Sequence, residues 1–284
     1  MITRRNFVQL SAAALPMLSP AMHAQKRITP VGLQLSTISK LARVDLPGTL
    51  RDIRSIGFNE VEMFNVGYNL PAATLRSMIV DAGLLPPVSA HFDYADIGTQ
   101  LDYAKALGLQ YAVSPMLPMA MRSDEASFHV AAKKFNEWGQ RAADLGMKFA
   151  WHNHDYEFRP YETGKTGYDI LLSETDPKLV FFELDCYWLT QAGQNPVAML
   201  NRLGKRAVML HMKDRKAGFP TSFDMTEPSA HFTEVGTGGI DYAAIIAKAK
   251  SLGIEHFYVE HDRIGDQPLA SLRISYANAR KLLA

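Results

Sequence analysis

The feature that most constrains the fold is a pattern that recurs about every thirty residues, the size of one βα unit. Each repeat holds an amphipathic helical stretch, then a glycine, then a short apolar run, as in "QLDYAKALG" before "LQYAVSPM". Glycine suits the left-handed residue that ends a helix. Six glycines therefore mark predicted joins from helix to strand: Gly57, Gly83, Gly108, Gly146, Gly204 and Gly253.

Two further apolar runs, "VGLQLS" and "LVFFELD", bring the number of predicted strands to eight. Apolar strands that alternate with helices indicate a parallel sheet covered by helices, and eight repeats favour a closed barrel over an open sheet. We therefore predict an α/β chain with a single (β/α)8 TIM barrel. A doubly wound open sheet is the alternative, but no GxGxxG or Walker-type glycine loop follows the first predicted strand.

The first 24 residues read as a twin-arginine signal segment, because Arg4 and Arg5 precede Phe7 and a short Ala/Leu-rich stretch. That stretch is too short to span a bilayer, which takes a helix of about 20 residues. The alternative to a signal segment is a frayed or membrane-tethering N-terminus. We expect export to the periplasm or beyond, with residues 25–284 forming the barrel. That length is close to the roughly 250 residues typical of such barrels.

Composition narrows the range of partners. The formal net charge of +1 gives no electrostatic footprint for nucleic acid or an acidic membrane surface. No later stretch qualifies as a membrane span, and a single cysteine, Cys186, rules out an intrachain disulfide. We expect a small-molecule substrate, while the oligomeric state is open.

Ionisable residues follow the predicted strands where TIM barrels build their active sites, at the carboxyl ends. Burying such groups is costly unless they are paired or bound to a cation. Imidazole and carboxylate ligands together suit Mn, Zn, Co or Fe, so one divalent ion is expected. The residues at the ends of strands two, three and five to eight are Glu62, His91, His152, His154, Asp185, His211, Lys213 and Glu260.

Each of these residues alone has a simpler interpretation. A single histidine at a strand end is commonly hydrogen-bonded to a loop, Glu62 could be a solvated charge, and Lys213 could form a loop ion pair. The aromatic residues Trp151, Tyr187 and Trp188 could be ordinary packing. Four metal-competent residues from strands five to eight at one end of a barrel are much harder to explain separately.

The chain resembles the xylose isomerase-like TIM-barrel family, in which sugar phosphate isomerases and epimerases and endonuclease IV belong. The resemblance rests on "GFNEVEMF", "SAHFDY", "WHNHDYEF", "ELDCYW", "LHMKD", "VGTGGIDY" and "VEHD", in the family's order. It implies that His152, Asp185, His211 and Glu260 hold one divalent metal. The chain departs from the family at His152, where relatives commonly carry a glutamate.

The resemblance implies a metal-dependent isomerase or epimerase that removes a proton beside a sugar carbonyl. Epimerase relatives use glutamates from strands five and eight on opposite faces of the sugar, so His152 puts that two-carboxylate mechanism in doubt. A lyase or hydratase acting on keto-sugars or keto-glycosides at the same site is the alternative. A non-catalytic sugar-binding barrel and a phosphodiesterase resembling endonuclease IV are further alternatives.

Roles for the remaining residues are expectations of the same kind. Glu157, His154 and Lys213 are the acid/base or substrate-orienting candidates, with Glu157 expected to curl back over the mouth of the barrel. Substrate-binding candidates would line that mouth or stack on a sugar ring: Glu62, His91, Trp151, Tyr187 and Trp188.

Overall fold

The computed structural model describes residues 29–225 and 229–284, so the predicted signal segment at residues 1–24 lies outside the described residues. Eight parallel strands close into a barrel in the order β1-β10-β7-β6-β5-β4-β3-β2. The predicted TIM barrel is confirmed. Its strands are β1 Gly32–Gln34, β2 Glu60–Phe64, β3 Ser89–His91, β4 Tyr111–Ser114, β5 Lys148–His152, β6 Val180–Asp185, β7 Ala207–Met212 and β10 His256–Val259.

Helices surround the barrel and alternate with its strands. They are α1 Ser39–Val44, α2 Leu46–Ile56, α3 Ala72–Asp81, α4 Ile97–Leu107, α5 Glu125–Asp144, α6 Gly167–Glu174, α7 Cys186–Gln191, α8 Pro196–Leu203, α9 Tyr242–Leu252 and α10 Pro268–Leu283. All six glycines predicted to join helix to strand have a positive φ, which an L-amino acid with a side chain rarely adopts. Among the described residues, no helix combines the length and apolar character needed to cross a membrane.

The barrel closes between β1 and β10, where Gly32 pairs with Tyr258. Any Cβ at position 32 would collide with the Tyr258 ring, so glycine at this position lets the aromatic side chain fill the interior. Val113, Ala150 and Met209 pack with Tyr258 in an apolar cluster inside the barrel. The metal-competent side chains lie on the carboxyl-terminal side of this cluster.

Contacts with the Asp214 carboxylate account for glycines in the motif "VGTGGIDY". It lies in β8, Asp214–Arg215, which pairs antiparallel with β9, Phe232–Thr233. Its Oδ2 accepts hydrogen bonds from the backbone amides of Gly236, at 2.8 Å, and Gly238, at 3.0 Å. A Cβ at Gly238 would collide with that carboxylate, so the glycine allows the loop to wrap around Asp214.

Candidate active site

The four predicted ligands meet at the carboxyl end of the barrel. His152 ends β5, Asp185 ends β6, His211 lies in β7 and Glu260 directly follows β10. Each offers a nitrogen or oxygen atom, and these atoms lie within 4.8 Å of one another. All four side chains are buried. The residues predicted as ligands are therefore brought together by four consecutive strands of the barrel wall.

The strand ends hold these side chains in place through backbone contacts. The Asp185 backbone amide donates to Asn153 Oδ1 at 3.0 Å, which ties the end of β6 to the end of β5. Asp185 Oδ1 accepts from the Trp188 amide at 2.8 Å and so caps the first turn of α7. Its other oxygen, Oδ2, faces the cluster. Burial raises the pKa of Asp185, and the positive charge of Lys213 opposes that shift without cancelling it.

Lys213 places an ammonium group among the carboxylates. Its Nζ lies 3.1 Å from Asp185 Oδ2, 2.9 Å from Glu260 Oε2 and 2.8 Å from Asp262 Oδ1. Burial lowers the pKa of Lys213, but these three carboxylates outweigh it and hold the pKa well above the ordinary value. Lys213 is thus a buried cation that shares two carboxylates with the predicted ligands. A protonated lysine of this kind stabilises negative charge and is a poor base.

Next to the four candidates lies a second set of buried polar side chains, Glu62, His91 and Glu183. Glu62 Oε2 lies 2.7 Å from His211 Nε2, and it also accepts from Gln34 Nε2 at 2.7 Å. His91 Nε2 lies 2.6 Å from Glu183 Oε2. Burial raises the pKa of Glu62, but the charges of His91 and His211 outweigh it and lower the pKa far below its usual value.

This set corrects two expectations. Glu62 and His91 were expected to line the mouth, but Glu62 is fully buried and His91 is 3% exposed. Their polar atoms are taken up by buried partners, because Glu62 bonds to His211 and Gln34 and His91 bonds to Glu183. Glu183 was missed, although it lies two residues before Asp185 in "FFELD" and a strand's alternation puts both on one face.

The side chains of the segment "WHNHDYEF" lie on both sides of the barrel wall. The Trp151 ring packs on Phe135 of α5 at 4.8 Å between centroids, so it faces the helices. Glu157 is fully buried and accepts from Trp151 Nε1 at 3.1 Å and from the His154 backbone amide at 3.0 Å. Burial raises the pKa of Glu157 to about 8. Neither Glu157 nor Trp151 lies over the mouth, because a 3-10 turn at Tyr156–Phe158 directs Glu157 back toward the helix layer.

His154 remains on the mouth side. Its ring lies 5.0 Å from that of His152 and 5.3 Å from that of Trp188, between centroids. Nδ1 has no hydrogen-bond partner among the described residues. Burial holds the pKa of His154 well below its usual value, and the Lys213 charge lowers it further. His154 is therefore a neutral imidazole beside the cluster at pH 7, able to accept a proton.

The aromatic pair after β6 also separates. Lys213 Nζ lies 5.5 Å above the Trp188 ring, which places Trp188 beside the cluster. Tyr187 is fully buried and stacks on Phe232 at 4.2 Å between centroids, so Phe232 covers the face a sugar would need. Of the three aromatic residues expected to stack on a substrate, Trp188 alone has a position that suits the role.

Asp262 is a site residue that the sequence did not single out. It lies two residues after Glu260 in "VEHD", and its side chain is 25% exposed at the mouth. Burial raises the pKa of Asp262, Lys213 opposes that effect, and the result is a pKa of about 7. Asp262 is thus a carboxyl group able to give or take a proton near neutral pH.

The donor set fits a divalent metal. Two imidazole nitrogens and two carboxylate oxygens are the ligands that Zn, Mn, Co and Fe accept, and these four groups can reach one point. Buried carboxylates of this kind are stable only when a cation compensates them.

The fold and the site together define the class, a TIM barrel with a candidate metal centre at the carboxyl ends of its strands. The chain belongs to the xylose isomerase-like TIM barrel family, whose model matches residues 50–277. It is 33% identical over 132 residues to the inosose dehydratase of Clostridium beijerinckii, covering 43% of this chain and 42% of that protein. The chain is 27% identical over 202 residues to the inosose dehydratase of Lactiplantibacillus plantarum, covering 61% and 65%.

Solved structures agree on the fold. A sugar phosphate isomerase/epimerase from Parabacteroides distasonis superposes with a TM-score of 0.72 at 24% identity, covering 90% of this chain and 96% of that chain. A Mycobacterium smegmatis barrel in complex with magnesium gives 0.67 at 16% identity, covering 89% and 96%. The IOLI protein with a bound zinc atom gives 0.65 at 15% identity, covering 89% and 98%.

Proposed function

We propose that this protein is a metal-dependent carbon–oxygen lyase that eliminates water or an alcohol from a keto-sugar or a related keto-cyclitol. The relatives called inosose dehydratase support elimination over the isomerase expected first, although each alignment spans less than two thirds of the relative. The position of Glu157 carries the choice. It bonds to Trp151 behind the barrel wall, so it does not replace the strand-five carboxylate of two-carboxylate epimerisation, whose position His152 occupies in this chain.

A divalent ion held by His152, Asp185, His211 and Glu260 would bind the substrate's carbonyl oxygen and so acidify the neighbouring carbon–hydrogen bond. His154 accepts that proton, because its imidazole is neutral and lies on the mouth side of His152. The Lys213 ammonium donates a hydrogen bond to the oxygen on which negative charge develops.

Elimination also needs a proton for the leaving oxygen. Asp262 is partly exposed beside Lys213, and with a pKa of about 7 a substantial fraction is protonated at neutral pH. Asp262 then protonates the departing hydroxyl or alkoxyl group while the carbon–oxygen bond breaks and the new carbon–carbon double bond forms. His154 and Asp262 are thereby the base and the acid of the proposed reaction.

The test is incubation of the zinc- or manganese-loaded protein with a panel of keto-sugars, keto-glycosides and keto-cyclitols in deuterated water, followed by NMR. Released water or aglycone with an unsaturated ketone product supports elimination. Deuterium incorporated at a ring carbon of an otherwise intact sugar supports isomerisation or epimerisation instead. Absence of both, with bound metal, would support a sugar-binding barrel.

We further propose that the protein is exported through the twin-arginine route, which rests on Arg4, Arg5 and Phe7. A double Arg4→Lys, Arg5→Lys change should leave the protein in the cytoplasm. Export of the double variant at the wild-type level would contradict the proposal.

A further inference from the structure

The two candidate imidazole ligands share a feature that their role as ligands does not require: in each ring, the second nitrogen faces a buried carboxylate. We infer that Glu183 is a positioning residue that fixes His152 in the tautomer protonated at Nδ1 and thereby leaves Nε2 free for the metal. This inference rests on the proposed metal-dependent function.

The distances define the tautomer of His152. Nδ1 lies 3.0 Å from Glu183 Oε2, a hydrogen-bond distance, while Nε2 lies 3.9 Å from Asp185 Oδ2 on the side of the ligand cluster. A carboxylate accepts hydrogen bonds, so the ring proton must sit on Nδ1. With the proton on Nδ1, Nε2 carries the free lone pair on the side of the ligand cluster. A histidine ligand whose other nitrogen donates to a carboxylate is both oriented and made more basic.

Glu183 is itself held rigidly. It lies two residues before Asp185 on β6, so one strand supplies a candidate ligand and the group that orients its neighbour. His91 Nε2 lies 2.6 Å from the same Oε2. A carboxylate oxygen accepts hydrogen bonds, so a ring nitrogen at this distance donates to it and His91 holds the same oxygen that orients His152. The Oε2 position is therefore fixed before any metal arrives.

His211 shows the same arrangement with a different carboxylate. Its Nε2 lies 2.7 Å from Glu62 Oε2, and its Nδ1 lies 2.8 Å from Glu260 Oε2 on the cluster side. Glu62 thus fixes the ring so that Nδ1 is the nitrogen offered to the metal. Glu183 and Glu62 thus explain how histidines on β5 and β7, two strands with β6 between them, present opposite ring nitrogens to one point.

His91, His152, Glu183 and His211 also meet closely enough to suggest a second ion. The distances argue against one. Three ring nitrogens lie 2.6, 3.0 and 3.2 Å from the single oxygen Glu183 Oε2, so that oxygen already occupies the position of an ion and hydrogen bonds join the groups. Ions at both positions would also require His152 and His211 to lose the protons of both nitrogens. We therefore expect one equivalent of metal.

The tautomer is measurable without metal or substrate. Long-range proton–nitrogen correlation spectra of the metal-free protein labelled with 15N-histidine should show His152 protonated at Nδ1, with its signals assigned from a His152→Gln spectrum. Addition of Zn²⁺ should shift Nε2 and leave Nδ1 protonated. A His152 ring protonated at Nε2 in the wild-type protein would overturn the inference, whatever the outcome for metal binding.

Variants at Glu183 test its effect on the metal. Glu183→Ala removes the acceptor, so His152 should show both tautomers and Zn²⁺ affinity measured by calorimetry should fall roughly 10- to 100-fold. Glu183→Gln keeps an acceptor oxygen, so the Nδ1–H tautomer and most of the affinity should be rescued. The matched control is Glu60→Ala, which removes the carboxylate 3.0 Å from His256 Nδ1 at the other end of the barrel and should leave Zn²⁺ affinity unchanged.

Two results separate this inference from the proposed function. A wild-type protein that binds no Zn²⁺ but shows His152 protonated at Nδ1 would refute the metal-dependent function and keep the tautomer assignment. Wild-type affinity in Glu183→Ala, or two equivalents of bound Zn²⁺, would refute the positioning role while leaving a metal enzyme. If Glu183→Ala fails to fold, the wild-type spectrum and Glu183→Gln still decide the question.

Discussion

Each end of the barrel contains a glutamate within hydrogen-bond distance of a histidine, but the two pairs have different neighbours. Near the amino-terminal end, Glu60 Oε2 lies 3.0 Å from His256 Nδ1, and near the carboxyl-terminal end, Glu183 Oε2 lies 3.0 Å from His152 Nδ1. Glu60 and His256 border a cavity of about 650 Å³. His152 and Glu183 instead lie among further imidazoles, carboxylates and Lys213. A histidine–glutamate pair thus borders a cavity at one end and belongs to a polar cluster at the other.

What distinguishes the carboxyl end is convergence. Glu260 Oε2 contacts both His211 Nδ1 and Lys213 Nζ, and burial raises its pKa while those two charges outweigh burial and lower it far below normal. Each carboxylate in the cluster is stabilised by a positive neighbour, and removing one partner from such a network leaves an uncompensated buried charge. Burying several charged side chains together costs free energy. Such a cluster is therefore stronger evidence of a functional site than a single histidine–glutamate pair.

Of the changes considered, Asp185→Asn should have the largest effect on metal binding and turnover, whereas the matching change at the other end of the barrel should have none. The asparagine retains the oxygen that caps α7 but removes the charge of Oδ2, so Zn²⁺ affinity should fall at least about 100-fold and turnover should be lost with the metal. Calorimetry and metal analysis of the purified protein measure this effect. Glu60→Gln, the same change of acid to amide at the other end, should retain wild-type metal. Full metal content in Asp185→Asn would refute the ligand assignment.

His154→Gln is expected to have the next largest effect. Loss of a general base lowers turnover by roughly 10²- to 10⁴-fold, while Zn²⁺ binding should stay at the wild-type level because His154 lies outside the four ligands. Steady-state rates on an active substrate provide the measurement, with metal content as the internal check. Normal turnover would exclude His154 as the base and leave Asp262 as the remaining candidate in this proposal.

The barrel itself was predictable because its signals are local. Glycine suits the left-handed residue that ends a helix, as Gly108 does, and apolar runs of strand length alternate with helices, so "AKALG" followed by "LQYAV" is informative without knowledge of the rest of the chain. The grouping of His152, Asp185, His211 and Glu260 was predictable for a related reason. Parallel strands in a barrel end at the same side, so residues at strand ends must meet.

Pairing and direction could not be predicted in the same way. The sequence does not show that Glu62 bonds to His211 or that His91 bonds to Glu183, because these pairs join strands that lie far apart along the chain. Glu157 was misplaced because the two-residue alternation ends with β5, and the following 3-10 turn decides the direction of the side chain. Glu183 was within reach, since alternation with Asp185 already implied an inward carboxylate.

Lys213→Met should change Zn²⁺ affinity by less than Asp185→Asn does. The ammonium competes with a metal for Asp185 and Glu260, and like charges repel, so removal of the lysine should tighten Zn²⁺ binding by about tenfold or more. The matched control is Lys148→Met, because Lys148 Nζ lies over the Phe181 ring at 4.9 Å, away from the four ligands. Weaker Zn²⁺ binding in Lys213→Met would mean that the lysine supports the metal site.

The smallest expected effect on turnover comes from Glu157→Gln, since Glu157 lies behind the barrel wall against Trp151. Its effect should appear in stability instead. The pKa is about 8 in the folded protein and roughly 4.3 in an unfolded chain, so the folded state binds the extra proton between those values. The stability contributed by this proton is fully present below the unfolded pKa and is lost as pH rises through the folded pKa, at up to about 1.4 kcal/mol per pH unit. Glutamine has no proton to lose, so between pH 5 and 8 the free energy of unfolding in urea should fall more steeply for the wild-type protein than for Glu157→Gln.

Parallel pH profiles for the two proteins would show that Glu157 is already ionised in the folded state. A large loss of turnover in Glu157→Gln would instead return Glu157 to the active site.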